Sequence, residues 1–166
     1  MPKELLLKMS NVNGAAENFL QGGEKRPPSR VLVVDDEPLI RWSVAETLGD
    51  HGWQVTEAAD ARSAMVAFPA IAAASGLVFL DLRLPDSDDL HVLAAMRRLS
   101  PDTPVILMTA HGTPDLAEAA RALGAFAVLD KPFDMGELGP LAERASGHIC
   151  AESRSGTPAD TARRTS

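Results

Sequence analysis

The chain has 166 residues, enough for one packed domain with flanking segments. Hydrophobic residues make up 45% and charged residues 23%, which excludes a wholly disordered chain and predicts a buried core. Residues 30 to 149 hold 9 basic and 18 acidic side chains, an acidic balance that makes this stretch a poor electrostatic partner for DNA or anionic lipid.

Residues 1–29 end in Gly22-Gly23-Glu24-Lys25-Arg26-Pro27-Pro28-Ser29, a linker composition, and read as a flexible extension. Lys3 to Met9 offers at most a turn or two of helix. Val31 to Val34 is a continuous apolar run, as in a strand buried on both faces. Pro38, favoured in a first turn, opens a helix to about Gly49. Trp53 to Glu57 reads as a short strand. Asp60 is a plausible N-cap for a helix from Ala61 to Phe68, which Pro69 is expected to stop. Leu77 to Leu80 is the second fully apolar strand, and Ser87 to Leu99 a helix with Leu90, Leu93 and Ala94 at helical spacing. Val105 to Met108 is the third apolar strand. Thr113 caps a helix that starts at Pro114 and closes at Gly124. Ala125 to Leu129 is the last strand, and Asp134 caps a final helix broken or kinked near Gly139-Pro140. Residues 30–146 form the folded unit, and 147–166 read as a disordered tail.

Five strands alternating with five helices predict right-handed crossovers and a single doubly wound, five-stranded parallel sheet with helices on both faces. In such folds the chemistry sits outside the carboxyl ends of the strands. Those ends carry Asp35-Asp36-Glu37, Asp81, Thr109-Ala110 and Asp130-Lys131-Pro132. They converge, so carboxylates, a hydroxyl and an ammonium share one pocket. Two like charges ~4 Å apart repel by about 1 kcal/mol in water and about 4 kcal/mol at an effective dielectric of 20. Lys131 alone does not offset three carboxylates, and a hard divalent cation with oxygen ligands, Mg²⁺, fits the need. No Cys or His stands at these strand ends to favour zinc. A metal, a lysine, a hydroxyl and an exposed carboxylate point to phosphoryl chemistry, catalysed by positioning and electrostatics, with Asp81 as the nucleophile.

These residues are where the chain resembles the response regulator receiver family, also called CheY-like. The motifs are Val31-Leu32-Val33-Val34-Asp35-Asp36-Glu37, Leu80-Asp81-Leu82-Arg83-Leu84-Pro85, Met108-Thr109-Ala110-His111-Gly112 and Asp130-Lys131-Pro132-Phe133, spanning about Arg30 to Ala145. The third and fourth look most like receivers of nitrogen-regulator-type activators. The resemblance implies a flavodoxin-like, CheY-like fold and a phosphoacceptor switch with slow self-dephosphorylation rather than an enzyme. It implies that Asp36 ligates Mg²⁺ with Asp35 helping directly or through water. Asp81 then takes the phosphoryl group and contacts the metal, and the backbone carbonyl of Arg83 completes the ligands. Thr109, Ala110 and Lys131 become the phosphate-contacting and switch set, with a cis peptide before Pro132. The implied partners are a histidine kinase or histidine phosphotransfer protein and an output protein of unknown identity.

Two positions depart from the family's pattern. Asp89 stands where Gly is usual, and Gly there would permit positive φ. Val128 stands where Tyr or Phe is usual, which bears on the family's aromatic switch. His111 lies at the pocket rim, either to influence attack by water or as a solvated loop residue, and the Arg83 side chain at the same rim could shield the phosphate. The cluster Asp86-Ser87-Asp88-Asp89 lacks calcium-loop spacing and is read as capping the following helix.

The lone Cys150 cannot form an internal disulfide, no apolar run approaches the ~18–20 residues of a membrane span, and no signal peptide is legible. These features predict a cytoplasmic protein that does not enter a membrane; the resemblance, the little chain left after the core and the acidic balance add the expectation of a stand-alone receiver that signals by protein contact and does not bind DNA. The alternatives are a pseudo-receiver that works without phosphate and an aspartate-nucleophile phosphohydrolase. The latter usually places a second acid two residues beyond the nucleophile, where this chain has Arg83.

Overall fold

The computed structural model describes residues 29–152. The expected flexible extension and most of the expected tail lie outside the described residues. Five parallel strands form one sheet in the order β2-β1-β3-β4-β5. They are β1 (Arg30–Val34), β2 (Gln54–Ala58), β3 (Leu77–Asp81), β4 (Val105–Thr109) and β5 (Ala127–Asp130). The helices are α1 (Pro38–Asp50), α2 (Ala61–Ala73), α3 (His91–Leu99), α4 (Pro114–Ala122) and α5 (Leu138–Glu152), the last entered through a 3-10 turn at Met135–Glu137.

The period-2 alternation of strand side chains divides the core into two layers. Leu32, Val34, Val78, Leu80, Val105 and Leu107 pack with Phe68, Leu93, Met96 and Ala120, so α2, α3 and α4 cover one face. Val31, Val33, Leu77, Phe79, Ile106 and Met108 pack with Val44, Leu48, Leu141 and Ala145, so α1 and α5 cover the other. Every residue of β3 and β4 is buried, as the continuous apolar runs require. Truncating Phe79, fully buried at the sheet centre, would cost about 3–5 kcal/mol. The strand order reverses direction after β2, which makes the carboxyl edge between β1 and β3 the switch point.

Several boundaries differ from the sequence reading. α2 does not stop at Pro69 but continues to Ala73. The proline removes one helical donor, while buried Phe68 and Ile71 hold the helix to the sheet on either side of it. α3 starts at His91 rather than Ser87. Leu84 and Ser87 exchange backbone hydrogen bonds of 2.7 and 3.1 Å in a tight turn, so the backbone there is already committed. β5 starts at Ala127, because the Ala125 amide donates back to Ala120 (2.9 Å) and finishes the α4 terminus. Gly139-Pro140 does not break α5; it occupies the first turn, where a missing amide proton has no helical partner to lose. α5 runs on to Glu152, past residue 146 where the tail was expected to begin. Asp60 and Thr113 cap α2 and α4 as read from the sequence, accepting from Ser63 (2.7 Å) and Leu116 (3.2 Å) amides.

Candidate functional site

Parallel register assembles the site. Val34 pairs with Leu80, Asp81 with Met108 and Thr109 with Asp130, so Asp35, Asp81, Thr109 and Lys131 reach the same carboxyl edge. Asp35 is fully buried, and Asp81 is 6% exposed at the pocket floor. Lys131 Nζ donates to Asp35 Oδ2 at 2.7 Å and to Asp81 Oδ2 at 3.1 Å. Glu37 Oε1 lies 3.7 Å from the same ammonium. The remaining carboxylate oxygens are also engaged: Asp35 Oδ1 accepts from the Glu37 amide (2.9 Å), and Asp81 Oδ1 from the Arg83 amide (3.2 Å). The Lys131 amide donates to the Thr109 carbonyl (2.7 Å), which ties β5 to β4 at the pocket. The Lys131–Pro132 peptide bond is cis.

Electrostatics follow from this packing. Burial pushes the Asp81 carboxyl above its ordinary value; Lys131 opposes, but the Asp35 charge adds to the rise. Burial pulls the Lys131 ammonium down, yet the hydrogen bond and charge of Asp35, followed by those of Asp81, outweigh it and leave the group raised. Lys131 is therefore firmly cationic, and Asp81 is the carboxylate that takes up a proton more readily than usual.

Asp36 is exposed and completes the acidic cluster from outside: carboxylate oxygens of Asp35, Asp36 and Asp81 lie within 4.8 Å of one another. This donor set is all oxygen and carries more negative charge than Lys131 neutralises. A hard divalent ion such as Mg²⁺ fits that chemistry.

The other residues singled out in sequence are arranged around this centre. Thr109 is buried, and its Oγ1 accepts from the His111 amide (3.2 Å). Ala110, His111 and Arg83 are exposed on the rim. Val128 is partly buried against the face covered by α2, α3 and α4. Asp89 sits at negative φ, since Ser75 is the only non-glycine residue at positive φ among the described residues. Its carboxylate accepts from the His91 amide (2.9 Å) and also meets the His91 ring, so it serves the start of α3.

Sequence reasoning did not place Arg41, Glu57 or Glu37 at the site, nor Asp86 at α2. Arg41 Nη1 donates to the Asp35 carbonyl (2.7 Å), while its Nε donates to Glu57 Oε2 (3.1 Å), bracing the acid loop against β2. Only the β1–β2 register brings Glu57 near, so no local spacing could reveal it. Glu37 was legible as the third acid of its run but not as a neighbour of Lys131. Asp86 caps α2, not α3: its two oxygens accept from the Ala61 (2.7 Å) and Arg62 (3.0 Å) amides. Gly112 also has a steric reason, because a Cβ there would overlap the Asp130 carboxylate.

The chain matches the family model for the response regulator receiver domain over residues 31–142. It is 38% identical over 117 residues to the nitrogen assimilation regulatory protein NtrX of Azorhizobium caulinodans, covering 69% of this chain and 25% of that protein. It is 36% identical over 121 residues to the transcriptional regulatory protein PdtaR of Mycobacterium tuberculosis, covering 71% of this chain and 57% of that one. The solved receiver domain of NtrX from Brucella abortus superposes with a TM-score of 0.64 at 39% identity, over 70% of this chain and 98% of that one. The chain thus spans about a quarter of the length of several curated relatives.

Proposed function

The chain belongs to the response regulator receiver family, and on that premise we propose that Asp81 accepts a phosphoryl group from the phosphohistidine of a kinase or phosphotransfer protein. The observation that carries this reading is the acid cluster of Asp35, Asp36 and Asp81, in which Asp35 and Asp81 share the ammonium of Lys131. Asp35, Asp36, Asp81 and the Arg83 backbone carbonyl would hold Mg²⁺. When bound, the ion supplies positive charge where the transferring phosphoryl oxygens gather.

The chain's own groups do the rest. A carboxylate oxygen of Asp81 forms the new P–O bond as the donor's P–N bond breaks, and the departing imidazole leaves with its electron pair and takes a proton from solvent. Lys131 already contacts Asp81 and stays cationic, so it is placed to neutralise an added phosphoryl oxygen. The Thr109 hydroxyl, on the next strand, can donate to another, since its only hydrogen bond among the described residues is one it accepts from the His111 amide. Arg41 and Glu57 hold the Asp35 backbone still. Output is then a protein contact that reads the changed pocket.

Incubation with phosphoramidate and Mg²⁺, followed by intact mass measurement, tests this. One added phosphoryl group is expected, absent in Asp81→Asn and absent in chelator. Labelling that persists in Asp81→Asn overturns the assignment, and no labelling of the native chain leaves the phosphate-independent alternative standing.

A further inference from the structure

The two acids that open the pocket loop are held very differently. Each polar atom of Asp35 is engaged. Its amide donates to the Ala58 carbonyl (3.1 Å), Oδ1 accepts from the Glu37 amide (2.9 Å), Oδ2 from Lys131 Nζ (2.7 Å), and its carbonyl from Arg41 Nη1 (2.7 Å). Asp36 beside it is exposed, and its carboxylate has no hydrogen-bond partner among the described residues. Yet that carboxylate stands within 4.8 Å of those of Asp35 and Asp81. Its direction is therefore set by the backbone, not by a contact of its own.

The Asp35 carbonyl is the oxygen of the peptide unit that joins Asp35 to Asp36. That unit is planar, so pinning its oxygen fixes the plane and the direction in which Asp36 leaves it. Arg41 supplies the pin, and Arg41 is itself fixed. It lies in the first turns of α1, where its amide donates to the Glu37 carbonyl (3.0 Å). Its side chain is 19% exposed, and its Nε donates to Glu57 Oε2 on β2 (3.1 Å). A guanidinium presents its donors in a rigid fork, so Glu57 determines where Nη1 points.

Charge alone would give Arg41 the opposite effect. A cation beside a metal site repels the metal, and Glu57 offsets that charge while leaving the fork in place. Geometry matters unequally to different ions. Mg²⁺ demands near-ideal octahedral ligands at short distance, whereas Ca²⁺ accepts longer and more flexible ones. We propose that Arg41 is a positioning residue, which acts through the Asp35–Asp36 peptide plane to aim the Asp36 carboxylate and so sets the pocket's preference for Mg²⁺ over Ca²⁺. The inference rests on Asp35, Asp36 and Asp81 being the metal ligands.

The test is calorimetric titration of the full chain with Mg²⁺ and with Ca²⁺, well below the melting midpoint. The variants are Arg41→Met, Arg41→Met with Glu57→Gln, and Asp36→Ala. Arg41→Met removes a positive charge and leaves Glu57 negative, so Coulomb attraction would tighten both ions, whereas lost aim weakens Mg²⁺. Mg²⁺ affinity should fall roughly ten-fold or more, the scale of losing a group that orients a ligand. Ca²⁺ affinity should fall less, and the charge-balanced double variant should behave the same way. Unchanged or tighter Mg²⁺ binding, or an equal loss for both ions, overturns the inference. Should Arg41→Met not fold, Arg41→Lys replaces it. Lysine keeps the charge but not the fork, so the Mg²⁺ preference should again fall, and a native preference overturns the role. The ligand reading fails differently. A native chain that binds no Mg²⁺, or an Asp36→Ala chain that binds it as the native does, sinks that reading and this inference with it. Sensitivity to Asp36→Ala with indifference at Arg41 sinks the role of Arg41 alone.

Discussion

At the scale of single residues, the site is an unbalanced charge problem that one side chain relieves only in part. Lys131, 10% exposed, is shared between the fully buried Asp35 and the nearly buried Asp81. Replacing it with methionine keeps the packing of the stem and leaves two neighbouring carboxylates without a counter-ion. Lys131→Met is expected to destabilise the fold at neutral pH by about 2–4 kcal/mol, measured by urea unfolding in chelator, since removing one member of a buried pair strands the other. The pH dependence has a definite sign. Asp81 is raised in the folded state, so its contribution is fully present below the unfolded value of about 3.9 and is lost as pH rises through the folded value. Lys131, also raised, contributes stability below about 10.4 that is lost only at higher pH. Asp60 and Asp89 are lowered by the Ser63 and His91 amides, so their contribution is present above about 3.9 and fades as pH falls below it. Of these four groups, Asp81 is the one whose contribution falls as pH rises just above 4. In chelator, the melting midpoint of the native chain should fall as pH is raised through the weakly acidic range, and Asp81→Asn should flatten that slope. An unchanged slope in Asp81→Asn would contradict the assignment.

At the scale of elements, α2 shows how a helix end can depend on a distant loop. Asp60 satisfies the Ser63 amide, and Asp86, 25 residues downstream of Ala61, satisfies the Ala61 and Arg62 amides. Loss of either cap should destabilise the chain. Because they serve different donors, Asp60→Ala and Asp86→Ala should add in the double variant to within about 0.5 kcal/mol, read by denaturant unfolding. A strongly sub-additive pair would mean that the α2 terminus frays as a unit once either cap is lost. The same element marks the limit of what the sequence discloses. The Asp60 cap was legible because it is local, and the three apolar strands were legible because burial on both faces leaves an unbroken run. The Asp86 cap was not, since Asp86 lies next to the start of α3 in sequence and the start of α2 in space. The extension of α2 beyond Pro69 is of the same kind: local propensity says stop, and the anchoring of Ile71 beneath the sheet decides otherwise. At the site, Asp81, Thr109 and Lys131 each follow an apolar run and so announce themselves, whereas Arg41 and Glu57 meet only through strand register.

At the scale of the whole molecule, the fold gathers acid where it has least room for it. Residues 30–149 carry twice as many acidic as basic side chains, and the switch point concentrates Asp35, Asp36 and Asp81 within 4.8 Å. Two kinds of cation relief follow, and they can be separated. Any salt screens the general repulsion, with a Debye length of about 10 Å at 0.1 M. A divalent ion bound only by the folded pocket adds RT ln(1 + [L]/Kd), about 2.7 kcal/mol at one hundred times Kd. Millimolar Mg²⁺ should therefore raise the melting midpoint by several degrees beyond NaCl of the same ionic strength. Asp36→Ala makes the discriminating comparison. Asp36 is exposed and makes no side-chain bond among the described residues that its loss would break, so the variant should fold as well as the native chain in NaCl. It should nonetheless lose most of the Mg²⁺ increment. If Mg²⁺ and NaCl act alike on the native chain, the cluster is only a region of negative potential. If Asp36→Ala keeps the full increment, the ion sits elsewhere on this acidic surface and the proposed ligand set is wrong.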